Sequence, residues 1–260
     1  MKHNYKEILD TAIRAATEAG TYLKDTFSKR PEIEFKGKID LVTERDRKSQ
    51  EVIFNIIKKE FPGHSILGEE DLNIEKDKEL LWLIDPLDGT TNYAHSLPIF
   101  SVSIAFLEQG KTMAGAVYNP MLEEMFRAIK GDGVFLNNKQ IHVSQSKDIN
   151  DAVLATGFPY DLRESEITNF EQFKHFLFEA RAIRRCGSAA IDLSYVAAGR
   201  FDGFWEFKLS PWDTAAAILF VTEAGGKVTD FSGNAFNPFM KECLASNSHI
   251  HSRMMEILKR

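Results

Sequence analysis

Cysteine is nearly absent: the chain of 260 residues carries two, Cys186 and Cys243. One disulfide is arithmetically available, but two reduced thiols in an intracellular protein are the expectation. Long apolar runs are missing as well. The longest, AAAILFV at 215–221, is far short of the ~20 residues that span a bilayer. The opening stretch MKHNYKEILDTAIRAATEAG has no apolar core of the kind a secretory signal needs. Lys and Arg do not cluster as a nucleic-acid footprint would require, and the net charge is −6. A soluble cytoplasmic protein that binds neither nucleic acid nor membrane is therefore expected. One further absence is local. No Lys or Arg lies between Leu80 and Phe106, although that interval holds Asp85 and Asp88.

What is present suffices for a sizeable interior. Hydrophobic residues make up 43% of the chain and phenylalanine alone supplies 20 residues, enough for one large domain or two fused halves. Ile8, Leu9, Ala12, Ile13, Ala16, Ala19, Leu23 and Phe27 recur at helical spacing, which predicts an amphipathic helix over 5–27. A second helix is predicted over 44–60, stopped by Pro62 and Gly63. From Ser65 the texture changes to short apolar runs (SILG, LLWLI, SVSIAFLE, MAGAVYN, EMFRAIK) separated by turn chemistry, which predicts a mostly antiparallel sheet. After 148, strand and helix signals alternate. AVLATGF, AIRRC, DGFWEF, KVTDF and CLASN read as strands; 165–180, SAAIDLSYVAAG, DTAAAILFVTEAGG and 248–259 read as helices. The expectation is an α/β (α+β) protein, with an N-terminal α+β half at 1–147 and a C-terminal α/β half at 148–260.

The informative stretch is GEEDLNIEKDKELLWLIDPLDGTTNYAH at 68–95, where an oily run ends in two aspartates. Read alone, D-P-L-D-G is a turn, Glu69 and Glu70 are a solvated loop, and Asp213 in SPWDTAAAILF is a helix N-cap. Asp85, however, ends a strand that reads as interior, and an unpaired buried charge costs several kcal/mol, on the order of 5. Three segments each offer a carboxylate where a strand ends or a helix begins. Oxygen ligands without His or Cys suit a hard divalent cation such as Mg²⁺. Gly89-Thr90-Thr91 follows at once and reads either as an ordinary cap or as an anion-facing helix start.

WLIDPLDGTTNYAHSLP, with GEE upstream and PWDTAAAILFVTEAGG downstream, resembles the inositol monophosphatase family. That family belongs to a superfamily of Mg²⁺-dependent, lithium-sensitive phosphatases that includes fructose-1,6-bisphosphatases. The resemblance runs from the first helix to the last, and GSAAIDLSYVAAGRFDGFWE is similar to the bacterial members in particular. It implies a layered αβαβα sandwich, a homodimer, and two or three Mg²⁺ per active site. It implies that Glu69, Asp85 and the Leu87 carbonyl hold one ion, and that Asp85, Asp88 and Asp213 hold another. Glu69 and Thr90 would activate water, with Asp85 bridging the ions. Gly89 and Thr90 would receive the phosphate, and Asp88, Gly187, Ser188, Ala189 and Glu206 the alcohol. Lys36, Asp40, Thr43 and Asp46 resemble the mobile segment that assists a third metal; the loop FKGKIDLVT is one residue shorter than in the animal enzymes.

The implied activity is hydrolysis of myo-inositol monophosphate and related sugar or polyol phosphates, with NADP(H) 2′-phosphate and fructose 1,6-bisphosphate as alternative substrates. A regulatory binding protein with incidental phosphatase activity, and a structural Ca²⁺ site, are the readings of other classes. His95 is expected outside the ligand set, and His64 and His142 as surface or packing residues. Arg184 and Arg185 suit either a second anionic group or a structural ion pair. Trp82, Trp205 and Trp212 are expected behind the carboxylates, and Ser210 at the substrate edge.

Overall fold

The computed structural model describes residues 4–27, 33–35, 41–70 and 72–260. In chain order the elements are α1 (Tyr5–Thr26), β1 (Ile33–Phe35), β2 (Leu41–Thr43), α2 (Glu44–Glu60), β3 (His64–Gly68), β4 (Asn73–Ile74), β5 (Asp77–Asp88), α3 (Thr90–Ala94), β6 (Ser101–Glu108), β7 (Lys111–Asn119), β8 (Glu124–Ile129), β9 (Val134–Leu136) and β10 (Lys139–Gln140). There follow β11 (Val153–Thr156), α4 (Phe170–Glu179), β12 (Ala182–Arg184), α5 (Ala189–Ala197), β13 (Gly203–Phe207), α6 (Pro211–Glu223), β14 (Lys227–Thr229), β15 (Glu242–Ser246) and α7 (His251–Leu258). One sheet has the order β10-β9-β8-β7-β6-β5-β3-β4, antiparallel except for the parallel pair β3 and β5. The other has the order β12-β11-β13-β15-β14, with β11 parallel to both of its neighbours.

Strand alternation builds five layers from these parts. Successive strand residues point to opposite faces. In β5, Trp82 and Ile84 enter a core shared with α1 and α2, while Leu83 enters a second core shared with α5 and α6. In β13, Phe204 joins that second core and Trp205 a third one, beneath α4 and α7. Both sheets are thus covered on both faces, which is why LLWLI and SVSIAFLE read as near-continuous apolar runs. The order is α1/α2, large sheet, α5/α6, small sheet, α4/α7. Helix α6 shows how sequence dictates place. Thr214–Val221 is buried on every side, as a helix apolar all round must be, and it lies between the two sheets. The cysteines are free. Among the described residues no helix is long and apolar enough to cross a membrane.

Two expected boundaries move. The helix expected at 165–180 begins at Phe170, because Asn169 takes a left-handed conformation (φ 68°) and its side chain is bound inside the protein. The last helix begins at His251 rather than 248, since Ser248 also has positive φ (71°) and the Asn247 carbonyl oxygen Oδ1 takes the Ile250 N–H. Trp82 and Trp205 are fully buried. Trp82 packs with Phe61, His64 and Phe106, and Trp205 stacks on Phe176. His64 is therefore a packing residue.

His251 locks the end of the small sheet. It is 1% exposed, with Nε2 at 2.9 Å from Thr229 Oγ1 and Nδ1 at 2.8 Å from Ser246 Oγ. The Thr229 hydroxyl donates to the Asp230 carbonyl at 2.6 Å. Nε2 must therefore donate to Thr229, and Nδ1 must accept from Ser246. A second proton on Nδ1 would oblige the Ser246 hydroxyl to turn from donor to acceptor. Burial, reinforced by Lys227, pushes the imidazole from 6.5 down to about 4. The unfolded chain then binds one more proton than the fold between those values, so stability is full above pH 6.5 and falls as pH drops towards 4. The loss is on the order of 3 kcal/mol. Chemical denaturation across this range, compared with His251→Gln, should show the variant less stable at pH 7.5 and the gap closing by pH 4.5. A gap independent of pH would refute the assignment.

Candidate active site

A bulge in β5 aims the first two aspartates. Against β6, Asp85 pairs with Ser103 and Asp88 with Ser101, so three steps on one strand match two on the other. Such a bulge re-aims side chains, and Pro86 has no N–H to donate to the ladder. The Asp85 Oδ1 accepts the Leu87 N–H at 3.1 Å, and the Pro86 carbonyl accepts the Ser49 hydroxyl at 2.7 Å. D-P-L-D is therefore a bulged strand end, and the turn comes one residue later. Gly89 has φ 102°, a conformation glycine takes without strain; a β-carbon there would press on the Ile99 and Gly187 carbonyls.

A pocket of about 470 Å³ opens beside this bulge. Glu69, Asp85, Leu87, Asp88, Gly89, Thr90, Gly187, Ser188, Ala189, Glu206 and Asp213 all line it, from four separate segments of chain. Ser210, Trp212 and Arg185 line it too, whereas His95 and Arg184 do not. Lys36 and Asp40 lie outside the described residues. Asp213 is not the cap of α6. Ser210 is, and Asp213 at the third position of the helix accepts the Ser210 N–H at 2.7 Å.

The electrostatics follow from crowding. Asp85, 2% exposed, is raised well above the ordinary carboxylate range by burial first, and then by Glu69, Asp88 and Asp213. Asp213 is raised by burial, Glu69 and Asp88. Burial lifts Asp88 to about 6, opposed by hydrogen bonds from Ser188 Oγ at 2.5 Å and the Ala190 N–H at 2.8 Å. Glu206 is raised by burial and by the charges of Asp192, Asp213 and Asp88, with Arg185 opposing. Among the described residues no three His, Cys, Asp or Glu side chains close on one point as a finished metal cage. Asp88 and Asp213 are instead held to the pocket wall by their own donors. Oxygen-only donors of excess negative charge are the set a hard cation would satisfy.

Thr43 and Asp46 stand behind this set rather than in it. They form the capping box that starts α2. Asp46 Oδ2 accepts the Thr43 N–H at 2.8 Å and its hydroxyl at 2.6 Å. Its Oδ1 lies 2.9 Å from the Thr90 hydroxyl, which is also 3.1 Å from the Leu87 carbonyl. Three further residues escaped the sequence reading. Asn92 Nδ2 donates to the Ile99 and Cys186 carbonyls, both at 2.7 Å, and so ties the bulge turn to the 186–189 segment. Asp192 lines the pocket, and burial lifts it to about 8, against hydrogen bonds from Cys186; its only signal was a lone acid in an apolar helix. Gly157 faces Glu206. Burial also pushes the Cys186 thiol up, the wrong direction for a nucleophile.

Residues 4–260 match the family model described as inositol monophosphatase family. The inositol-1-monophosphatase of Synechocystis is 41% identical over 252 residues, covering 96% of this chain and 88% of that protein. Nus factor SuhB of Escherichia coli is 41% identical over 251 residues, covering 95% and 94%. The solved structure of an inositol monophosphatase from Anabaena superposes with a TM-score of 0.91 at 40% identity, covering 99% of this chain and 97% of that one.

The Asp46 arrangement yields an expected outcome. Asp46→Ala removes a helix cap and the partner of Thr90, so urea unfolding should show a loss of about 1–2 kcal/mol. Glu44→Ala, exposed in the same first turn, should stay within ~0.5 kcal/mol. Equal losses would contradict the capping role.

Proposed function

Since the chain belongs to the inositol monophosphatase family and is thereby a phosphoric monoester hydrolase, we propose that it hydrolyses myo-inositol monophosphate and related sugar or polyol phosphates with Mg²⁺ as its cofactor. The observation that carries this reading is the crowding of Glu69, Asp85, Asp88 and Asp213 around one pocket, with no cation, among the described residues, in the nearest groups that perturb Asp85. Glu69, Asp85, the Leu87 carbonyl, Asp88 and Asp213 would hold two or three Mg²⁺ ions. Bound there, Mg²⁺ would supply Lewis-acid charge for phosphoryl transfer and lower the pKa of water.

The chain's own groups position the reactants. The Thr90 hydroxyl has Asp46 Oδ1 and the Leu87 carbonyl as acceptors for its one proton, and with either it keeps its lone pairs to orient the attacking water, whose proton Glu69 takes. The N–H groups of Gly89 and Thr90 face the phosphate at the turn. Ser188 and Ala190 fix Asp88, so that its second oxygen stays available. The alcohol rests against Glu206 and the Gly187-Ser188-Ala189 segment, which Asn92 ties to the phosphate side. Displacement at phosphorus depends mainly on such positioning and charge neutralisation.

One observation favours a second substrate reading. Arg185, whose guanidinium sits 5.4 Å over the Phe158 ring, and Lys208, held by Asp161 and Ser165, line the outer wall of the pocket. Two cations there suit substrates with a further anionic group, such as NADP(H) or fructose 1,6-bisphosphate. A role as a regulatory binding protein is the alternative of another class.

Purified protein in Mg²⁺, offered each of these phosphates in turn, tests the reading. Phosphate release from myo-inositol monophosphate is expected, and Asp88→Asn should lose at least ~100-fold in kcat while keeping its unfolding transition. Release from none of the panel would sink the proposal. A cellular phenotype that survives Asp88→Asn would favour the binding role.

A further inference from the structure

One wall of the pocket is built from a polar knot that the proposed chemistry does not use. Thr156 ends β11 and pairs with Trp205 of β13, immediately before Glu206. The Thr156 hydroxyl donates to the Trp205 carbonyl at 2.5 Å. Asn169, 1% exposed, stitches the same two strand ends together. Its Nδ2 donates to Thr156 Oγ1 at 2.9 Å and to the Gly157 carbonyl at 2.7 Å, while its Oδ1 accepts the Trp205 indole N–H at 2.7 Å. Every donor and acceptor of that side-chain amide is engaged, except one oxygen lone pair. A non-glycine residue at φ 68° is uncommon, and asparagine is among those that tolerate it best.

The knot bears on one functional group. Gly157 and Glu206 are adjacent across the wall, and a β-carbon on Gly157 would overlap the Glu206 carboxylate. The Glu206 side chain therefore rests directly on the Gly157 backbone, whose carbonyl Asn169 holds in place. Among the described residues Glu206 has no basic partner of its own beyond the field of Arg185, so its position there is set by packing rather than by an ion pair.

We propose that Gly157 and Asn169 are positioning residues that set the depth of the Glu206 carboxylate, and through it the preference of the pocket for an alcohol bearing free hydroxyls. The proposal rests on the reading of Glu206 as an acceptor for the substrate's hydroxyl groups. Gly157 supplies the space into which the carboxylate retracts, and Asn169 fixes the backbone that defines that space. A methyl group at 157 drives the carboxylate forward into the volume the polyol must occupy. Loss of the Asn169 amide frees the strand end to drift. Neither change touches Glu69, Asp85, Asp88, Asp213 or Thr90, so the attack on phosphorus is left alone.

Steady-state kinetics with two substrates test this: myo-inositol 1-phosphate, whose alcohol carries hydroxyls, and p-nitrophenyl phosphate, whose leaving group carries none. Glu206→Gln is the reference variant. Gly157→Ala should raise KM for the inositol phosphate by about tenfold, the scale of a misplaced hydrogen-bonding group. For the aryl phosphate, kcat and KM should stay within ~2-fold, the pattern of lost ground-state binding. Asn169→Gly, which tolerates the positive φ and removes the side chain with its amide, should give the same split, with its unfolding midpoint recorded to show that it is folded. Equal effects on both substrates, or an unchanged inositol phosphate KM in Gly157→Ala, would overturn the proposal. If Glu206→Gln itself leaves that KM unchanged, the reading of Glu206 falls and the proposal with it. If Glu206→Gln raises KM and Gly157→Ala does not, only the present inference fails.

Discussion

Glu69, Asp85, Asp88 and Asp213 line one pocket at the bulged end of β5, where burial and the charges of Glu69 and Asp88 make Asp85 and Asp213 harder to ionise. The fold tolerates this by dividing the cost. Asp88 is held by Ser188 and the Ala190 N–H, and Asp213 by the N–H of Ser210. Asp85 takes the Leu87 N–H. These bonds orient the carboxylates without neutralising them, and the remaining excess of charge is what the proposed Mg²⁺ would satisfy. The rest of the site follows from that need. An acidic socket attracts a phosphate dianion only when cations invert its sign.

The layered architecture makes the crowding possible. Glu69 follows β3 and Asp85 comes one residue after Ile84, the partner of Gly68 on the parallel neighbour β5, so both arrive at the same end of the paired strands. Asp213 arrives on α6, the helix pressed between the two sheets, and Glu206 on β13 of the smaller sheet. No local stretch of chain could gather them. The apolar packing of Trp82, Leu83, Phe106, Phe204 and Ala216 that fixes these elements supplies the rigidity that holds like charges together. The larger of these side chains, Leu83, Phe106 and Phe204 among them, each contribute ~1.5–3 kcal/mol when buried.

Much of this was legible in the sequence because it is written in local patterns. The 3.6-residue stripe of α1, the alternating strands, and the motifs around Asp85 and Asp213 each carry their signal within a few residues, and the family resemblance joined them. What escaped depends on distant partners. D-P-L-D-G reads as a turn, yet pairing with β6 makes it a bulge. Asp213 sits near a cap position, but the cap is Ser210, because the helix starts at Pro211. The family resemblance puts Asp46 in a mobile segment that assists a metal, while in the fold it completes the capping box of α2 and its second oxygen meets Thr90 across 44 positions of sequence. Asn169 moved the start of α4 because its side chain is committed to Trp205 and Gly157, contacts that no periodicity encodes.

The central claim is that the four carboxylates share a cation. Calorimetric titration of Mg²⁺ into the protein, repeated in buffers of different ionisation enthalpy, tests it most directly. Saturable binding with release of protons is predicted, because carboxyls whose affinity for protons is raised by crowding must give them up to the metal. Asp213→Asn, with its unfolding transition intact, should bind more weakly and release fewer protons. Heats no different from dilution, or an Asp213→Asn isotherm identical to the parent's, would contradict the account.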